Sequence, residues 1–183
     1  MNQDSFNESI YNTLTSLFPK FTIHASGING VSKIVLFDEP ELNKQKSRYR
    51  IAYTSMMVFD GEKPILGLET IFSESSIPPR IIVGPIPVYM ITRKIIVRFK
   101  NGNEKEYNLD HNDSKIGLMI VLSPQKSENK KDQIKDLNEK FRGVLNLDTE
   151  YSYVNNFRII ELDNLKFAIK EFRKKSVKEY PKI

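Results

Sequence analysis

One continuous apolar segment limits the folds open to this chain more than any other feature of the sequence. The run from Ile116 to Leu122 has no polar side chain, which is typical of a strand covered on both faces of a sheet. A helix with one apolar face is predicted next, from about Ser127 to Leu145, and then a strand from Phe157 to Leu162. Strand, helix and strand at these lengths predict a parallel pair with a right-handed crossover. Asp163 is predicted to cap a closing helix.

Two hairpins are predicted before this parallel unit. Asp60 to Lys63 and Lys100 to Asn103 have the composition of tight hairpin turns. The flanking strands are predicted at Tyr49–Phe59, Pro64–Phe72, Lys94–Phe99 and Lys105–Leu109. The predicted fold class is therefore α/β, with a central mixed β-sheet flanked by helices. With 183 residues, the chain is expected to form one domain over residues 1–183.

Capping residues and prolines indicate where the first helix begins and ends and how the segment between residues 78 and 87 is built. Ser5 and Glu8 have the spacing of a capping box, and Pro19 ends the amphipathic pattern that follows them. The prolines between residues 78 and 87 exclude one continuous helix in the crossing. We expect that segment to be irregular and to become helical only near Val88.

Composition narrows the chemistry that is available. The chain has no cysteine and only His24 and His111, so a metal would have to be held by carboxylates, which suits magnesium, manganese or calcium. No apolar run reaches the roughly 18 residues of a membrane span, and the first residues lack the basic and apolar stretches of a secretory signal. A cytoplasmic protein without membrane association is the expectation.

The charge distribution is compatible with a phosphate-backbone partner. The formal net charge is +5 and the isoelectric point is near 9.2. The residues predicted to contact nucleic acid are Arg93, Lys94, Arg98, Lys100, Arg173, Lys174 and Lys175. On the second hairpin, alternation along the strand also permits a plain solvated face, and the same alternative holds for the lysine-rich last helix.

The segment from Arg50 to Phe72, RIAYTSMMVFDGEKPILGLETIF, resembles the central hairpin of the PD-(D/E)xK nucleases, which share the restriction-endonuclease-like fold. Helix, three strands with an acidic residue on the third, a crossing and a buried strand is also their order of elements. Glu69 stands where the family has its second acidic ligand, whereas Ile71 replaces the lysine of the family motif. Opposite Glu69, the second strand is predicted to place Tyr53, Thr54 and Ser55.

This resemblance implies a metal-dependent DNA endonuclease, often a homodimer. It would hold Mg²⁺ or Mn²⁺, which polarises the phosphate and lowers the pKa of bound water. The predicted metal ligands are Glu69, Asp60 and Glu74, and the predicted catalytic residues are Glu69, Asp60 and Arg80. In this set Asp60 is the nearest carboxylate before Glu69 in the sequence. Glu74 and Arg80 would supply an acid and a cation at positions shifted from those of the family motif.

Two other functions remain open at this point. The first is a nucleic-acid-binding module that keeps such a fold without its chemistry, which the isoleucine at position 71 favours. The second is a protein-interaction module whose apolar hairpin faces a partner. Each acidic residue also has a structural interpretation, since Glu69 can be a solvated strand end and Asp60 an ordinary turn residue.

Overall fold

The computed structural model describes residues 1–38, 50–73, 77–109, 116–124, 128–145 and 154–176. Its helices are α1 (Gln3–Leu17), α2 (Pro79–Val83), α3 (Pro85–Ile91), α4 (Glu128–Leu145) and α5 (Leu165–Ser176). Its strands are β1 (Thr22–Ala25), β2 (Val31–Phe37), β3 (Arg50–Thr54), β4 (Met56–Asp60), β5 (Lys63–Ile71), β6 (Lys94–Phe99), β7 (Glu104–Asn108), β8 (Ile116–Leu122) and β9 (Val154–Glu161). The α/β class is thus confirmed.

The strands form two sheets rather than one. The first, here called the mixed sheet, has five strands in the order β1-β4-β5-β8-β9. Its first three strands are antiparallel neighbours, whereas β5, β8 and β9 are parallel. The second, here called the antiparallel sheet, has the order β3-β2-β6-β7. The predicted mixed sheet is confirmed, and the separate antiparallel sheet was not expected.

The chain passes from one sheet to the other at Ser55. The prediction of a single strand from Tyr49 to Phe59 is wrong, because β3 pairs with β2 whereas β4 pairs with β1 and β5. At the junction the Ser26 amide donates to the Ser55 carbonyl oxygen at 2.9 Å, and the Ser26 hydroxyl donates to the Thr54 carbonyl oxygen at 2.8 Å. The two apolar halves look alike in sequence, so only these long-range bonds reveal the change of sheet.

The mixed sheet is covered on both faces, as the apolar run of β8 predicted. One face packs against α1 and α5 through fully buried side chains such as Phe6, Ile10 and Ile169. The other face packs against the antiparallel sheet, α2, α3 and α4. Burying a side chain of this size stabilises the fold by roughly 1.5–3 kcal/mol. The mixed sheet is therefore the middle layer of the molecule.

Gly117 of β8 marks a close contact on the α1 and α5 face. The ring of Phe172 lies so near Gly117 that a methyl group there would overlap it. Across the strand pair, Gly117 is in register with Leu66 of β5, which belongs to the same apolar cluster. Glycine at this position thus lets α5 lie close to the sheet.

Several element boundaries differ from the sequence prediction for local reasons. The capping box of α1 is formed by Asn2 and Ser5, not by Ser5 and Glu8, because the Asn2 side chain accepts the Ser5 amide and the Ser5 hydroxyl accepts the Asn2 amide. Asp163 lies inside a short 3-10 turn, Leu162–Asn164, that leads into α5.

The proline-rich crossing forms two short helices rather than an irregular segment that becomes helical near Val88. Both α2 and α3 begin with a proline, Pro79 and Pro85, at the first helical position. A backbone N–H is not needed there, and the fixed φ of proline suits the helix. The same prolines that exclude one continuous helix therefore start two. Within the described residues, no helix is long and apolar enough to cross a membrane.

Candidate functional site

Glu69 lies near the end of β5, beside the junction at Ser55. The register of β4 and β5 pairs Met56 with Leu68, so Ser55 comes next to Glu69. On the other side of β5, Glu69 is in register with Ile120 of the buried strand β8. The position of Ser55 beside Glu69 confirms the sequence prediction. Strand β5 places the Glu69 side chain between the two sheets.

Tyr89 of α3 reaches Glu69 because Gly67 leaves room for its ring. A methyl group at position 67 would come closer than 3.0 Å to three atoms of the Tyr89 side chain. The ring therefore lies across the strand, and its hydroxyl donates to Glu69 Oε1 at 3.0 Å. The same hydroxyl forms a short hydrogen bond with the Thr54 hydroxyl. One glycine thus determines where the phenol group of α3 lies.

Ser55 holds the second oxygen of the Glu69 carboxyl group. Its hydroxyl donates to Glu69 Oε2 at 3.1 Å and accepts from both the amide and the hydroxyl of Thr70 at 3.1 Å. A hydroxyl oxygen has two lone pairs, and both are used here. Ser55 consequently positions the carboxyl group and is not arranged as a nucleophile.

Burial raises the pKa of Glu69 from 4.5 to about 7, and hydrogen bonds from the neighbouring hydroxyls offset only part of that rise. The residue as a whole is partly exposed, whereas its carboxyl group lies deep among protein atoms. Burial also raises the pKa of Tyr89 well above its ordinary value, with a further contribution from the adjacent Glu69 charge. Glu69 therefore changes its charge near neutral pH, whereas Tyr89 stays a neutral hydrogen-bonding group.

The hydroxyls beside Glu69 can satisfy both of its protonation states. When the acid is ionised, Thr54 donates to Tyr89 and Tyr89 donates to Glu69. When it is protonated, the acid donates to Tyr89, Tyr89 donates to Thr54, and Thr54 donates to the Leu68 carbonyl oxygen at 3.4 Å. Since hydroxyl hydrogens rotate freely, this reversal needs no movement of heavy atoms.

An open cavity of about 560 Å³ borders Glu69. Gln3 and Asn7 of α1 line one side, and Lys33 of β2 and Tyr53 of β3 line another. All the residues of the lining are polar, and Glu69 is the sole carboxyl group among those that the structure describes. This volume lies in the range of roughly 300–1,000 Å³ that is usual for small-ligand sites.

Tyr53 stands exposed at the edge of this cavity and holds two cations. Its side chain is 46% exposed. The Arg50 guanidinium donates from Nη1 to the Tyr53 hydroxyl at 2.5 Å and lies 4.9 Å from the ring centroid, and Lys33 Nζ lies 5.3 Å from that centroid. Within the part of the chain that the structure describes, neither cation has a carboxylate partner. Among the described residues, no acid therefore compensates their positive charge.

Of the predicted metal ligands that the structure describes, Asp60 does not lie beside Glu69. Asp60 is exposed at the far end of the hairpin, in register with Lys63, and the five residue steps from Ser55 to Asp60 span roughly 16 Å at about 3.3 Å per residue. Glu74 lies outside the described residues. Arg80 is exposed in the first turn of α2 and does not line the cavity.

Among the described residues, the surroundings of Glu69 do not supply the ligand set of a resident metal. The described ranges contain no group of three histidine or acidic side chains able to hold an ion. Both oxygens of Glu69 instead accept hydrogen bonds from neutral hydroxyls, on Tyr89 and Ser55.

Cross-strand ion pairs neutralise two of the four cations predicted to form a basic stripe on the second hairpin. Lys94 Nζ lies 2.6 Å from Glu106, and its side chain is only 7% exposed. Arg98 Nε lies 2.6 Å from Glu104. Arg93 and Lys100 are exposed beyond the two ends of β6. None of these four predicted cations lines the Glu69 cavity.

The basic residues of α5 have local structural contacts. Arg173 donates to the Leu17 carbonyl oxygen at 2.7 Å and lies over the ring of Phe18. Lys174 pairs with Glu171 at 2.8 Å. The side chain of Lys175 lies outside what the structure describes. Arg173 thus connects α5 to the end of α1, and Lys174 makes an ion pair within α5.

Besides Tyr89, two cations of the site, Lys33 and Arg50, were not predicted from the sequence. Each approaches Tyr53 from a different position in the chain, Arg50 from the same strand and Lys33 from the neighbouring strand β2. The short spacing of Arg50 and Tyr53 was a usable signal. The contact of Lys33 with Tyr53 could not be predicted from the sequence, because it depends on the pairing of β2 with β3.

His24 is a separate buried titratable group. Its Nε2 lies 3.0 Å from the Tyr107 hydroxyl, and burial followed by the nearby Lys105 charge lowers its pKa. It packs edge-on against Phe59 and Phe99. These contacts make His24 a hydrogen-bonded residue of the buried core.

Comparison with known proteins adds no relative from which a role could be transferred to the Glu69 cavity. No protein-family model matches the chain, and no curated protein or solved structure is significantly similar to it. The function must therefore be inferred from the geometry of the site.

Proposed function

We propose that this protein binds single-stranded nucleic acid at the Glu69 cavity. The observation that carries the proposal is the exposed Tyr53, which holds Lys33 and Arg50 at the cavity edge while neither cation has a carboxylate partner in the described chain. Proteins that bind single strands combine an aromatic surface for stacking with cations for the phosphates. The proposal develops the binding-module alternative from the sequence analysis.

The surroundings of Tyr53 support stacking by a base. A phenol ring offers a large and rigid contact area, and one stacked base contributes roughly 1–3 kcal/mol to binding. Lys33 and Arg50 lie within about 6 Å of the ring centroid, a distance at which cations and aromatic faces attract each other. A strand passing over Tyr53 would therefore meet positive charge on its phosphates.

Binding is tested by fluorescence anisotropy with a labelled single-stranded DNA of mixed sequence. Tyr53→Ala is expected to raise Kd on the order of tenfold to a hundredfold, because one stacking contact is lost. Affinity should also fall with rising salt, since phosphate contacts release counterions.

Phe167→Ala is the matched control for that experiment. Phe167 is an exposed aromatic residue of α5, 66% exposed, and it does not line the cavity. Its substitution should leave Kd unchanged. Absence of binding by the unaltered protein, or an equal loss in both variants, would disprove the proposal.

The metal-dependent DNA hydrolase implied by the restriction-endonuclease-like resemblance is tested in parallel. We expect no cleavage of plasmid or single-stranded DNA with Mg²⁺ or Mn²⁺, because Glu69 is the sole carboxyl group among the described residues that line its cavity. Cleavage that is lost in Glu69→Ala would replace the binding proposal by the nuclease.

A further inference from the structure

We infer that the cavity receives one unpaired base with an exocyclic amino group, which donates a hydrogen bond to the Glu69 carboxylate. This inference rests on the proposed binding of single strands and adds base selection to it. Cytosine, adenine and guanine carry such an amino group, whereas uracil carries a carbonyl oxygen in the position where cytosine has its amino group.

The hydrogen bonds of Glu69 leave an acceptor for the ligand. A carboxylate has about four lone-pair sites on its two oxygens. Tyr89 occupies one of them on Oε1 and Ser55 one on Oε2. Glu69 also lines the cavity, so the remaining lone pairs of its carboxylate are the acceptors that a ligand in the cavity would use.

The fixed position of the carboxylate makes this acceptor selective. The Tyr89 ring lies against Gly67, and Ser55 is held by two bonds from Thr70, so both donors that orient Glu69 are themselves held in place. An incoming carbonyl oxygen would meet the carboxylate oxygen with no proton between them. Leaving such polar groups unpaired disfavours the wrong base by a factor on the order of tenfold or more.

The geometry of the cavity suits a base whose phosphates stay outside. Tyr53 lies at the edge, with Lys33 and Arg50 at its ring, and Glu69 borders the same cavity. The amide side chains of Gln3 and Asn7 on the α1 side can hydrogen-bond to other edges of the base. The volume of about 560 Å³ accommodates one nucleoside.

The test compares short DNA strands of deoxycytidine and of deoxyuridine, each about eight nucleotides long. The two bases have nearly the same size and differ in the group at the selected position. The measurement is made at about pH 8, above the pKa of about 7 of Glu69, so that the carboxylate can only accept. The unaltered protein is expected to bind the deoxycytidine strand at least about tenfold more tightly.

Glu69→Gln removes this selectivity without changing side-chain size. Because an amide offers a donor as well as an acceptor, the two strands should bind the variant within about twofold of each other. Asp60→Asn is the matched control, since Asp60 is a carboxylate on the same hairpin but far from the cavity, and it should keep the full preference. Circular dichroism establishes that both variants are folded.

The possible failures are distinguishable. Equal affinity of the unaltered protein for both strands, with Tyr53→Ala still weakening both, would overturn the base selection and leave the proposed function standing. A preference that survives in Glu69→Gln would also overturn the inference, because another atom would then be selecting the base. Absence of binding to either strand would disprove the proposed function itself.

Discussion

Two glycines on neighbouring strands of the mixed sheet, Gly67 and Gly117, are each covered by an aromatic ring, and they differ in what that ring does. On one face Phe172 lies over Gly117 inside an apolar cluster. On the other face Tyr89 lies over Gly67, and its hydroxyl reaches the Glu69 carboxyl group. The same close approach thus serves packing on one face and holds a polar site on the other.

The difference lies in one hydroxyl group and in what surrounds it. Phe172 needs no hydrogen-bond partner, so its pocket can be wholly apolar. Tyr89 is fully buried and must have one, and it finds both Thr54 and Glu69. The buried hydroxyl of Tyr89 therefore requires polar partners, whereas the ring of Phe172 does not.

The largest expected effect is a change in the free energy of unfolding with pH, which arises from Glu69 on the polar face. The pKa of Glu69 is about 7 in the folded protein and near 4.5 in the unfolded chain, so the unfolded chain loses this proton first as pH rises. The stability that the protonated acid contributes is fully present below about pH 4.5 and declines until about pH 7, by about 3 kcal/mol in all. Glu69→Gln should abolish that decline.

Urea unfolding of the unaltered protein and of Glu69→Gln over this pH range measures the effect. The difference between the two curves cancels the contribution of His24, whose pKa burial lowers. Asp60→Asn should follow the unaltered protein. Parallel curves for the unaltered protein and Glu69→Gln would show that the carboxyl group is not buried as described.

A second expected effect concerns the glycines themselves. Gly67→Ala and Gly117→Ala should each lower the free energy of unfolding by roughly 1–3 kcal/mol, because each methyl group overlaps a ring. Only Gly67→Ala should also weaken nucleic-acid binding, since it displaces the Tyr89 hydroxyl from Glu69. Denaturation and fluorescence anisotropy measured on both variants test this difference between the two faces. Equal losses of affinity in Gly67→Ala and Gly117→Ala would contradict it.

The smallest expected effect comes from removing the hydroxyl alone. Tyr89→Phe should cost about 1 kcal/mol, because Thr54 and Glu69 each lose a hydrogen bond. It should also raise the pKa of Glu69, since the bond from Tyr89 lowers it. The decline of stability would then still begin near pH 4.5, the pKa in the unfolded chain, but would extend to higher pH.

Tyr107→Phe is the control for this last variant. Tyr107 is also a buried tyrosine, and its hydroxyl bonds to His24 rather than to Glu69. It should show a similar loss of stability and no shift in the Glu69 titration. A shift in both variants would mean that the effect does not pass through the Tyr89 hydroxyl.

The sequence predicted those parts of the fold that local periodicity determines. The apolar run of β8, the hairpin of β6 and β7 and the amphipathic pattern of α1 all correspond to elements of the structure. The position of Glu69 near a strand end, beside Ser55, was also predictable from the hairpin turn that sets the register.

Features that depend on pairing between distant segments were not predictable. The apolar halves of the stretch from Tyr49 to Phe59 give no sign that they belong to different sheets. The cation Lys33 joins Tyr53 only because β2 pairs with β3. Asp60 looked like a partner of Glu69 in sequence, yet the antiparallel register that places Ser55 beside Glu69 places Asp60 at the far end.

The parallel pairing of β5 with β8 has a consequence for folding during synthesis. The residues that line the cavity, and Tyr89, all belong to the stretch from 3 to 89. While that stretch has emerged from the ribosome and β8 has not, β4 can already pair with β5, but the other edge of β5 is open. An unpaired strand edge invites pairing with other chains. We therefore expect the nascent chain to pass through a stage at which the Glu69 cavity is nearly assembled while one edge of the central strand β5 is still open and prone to aggregate.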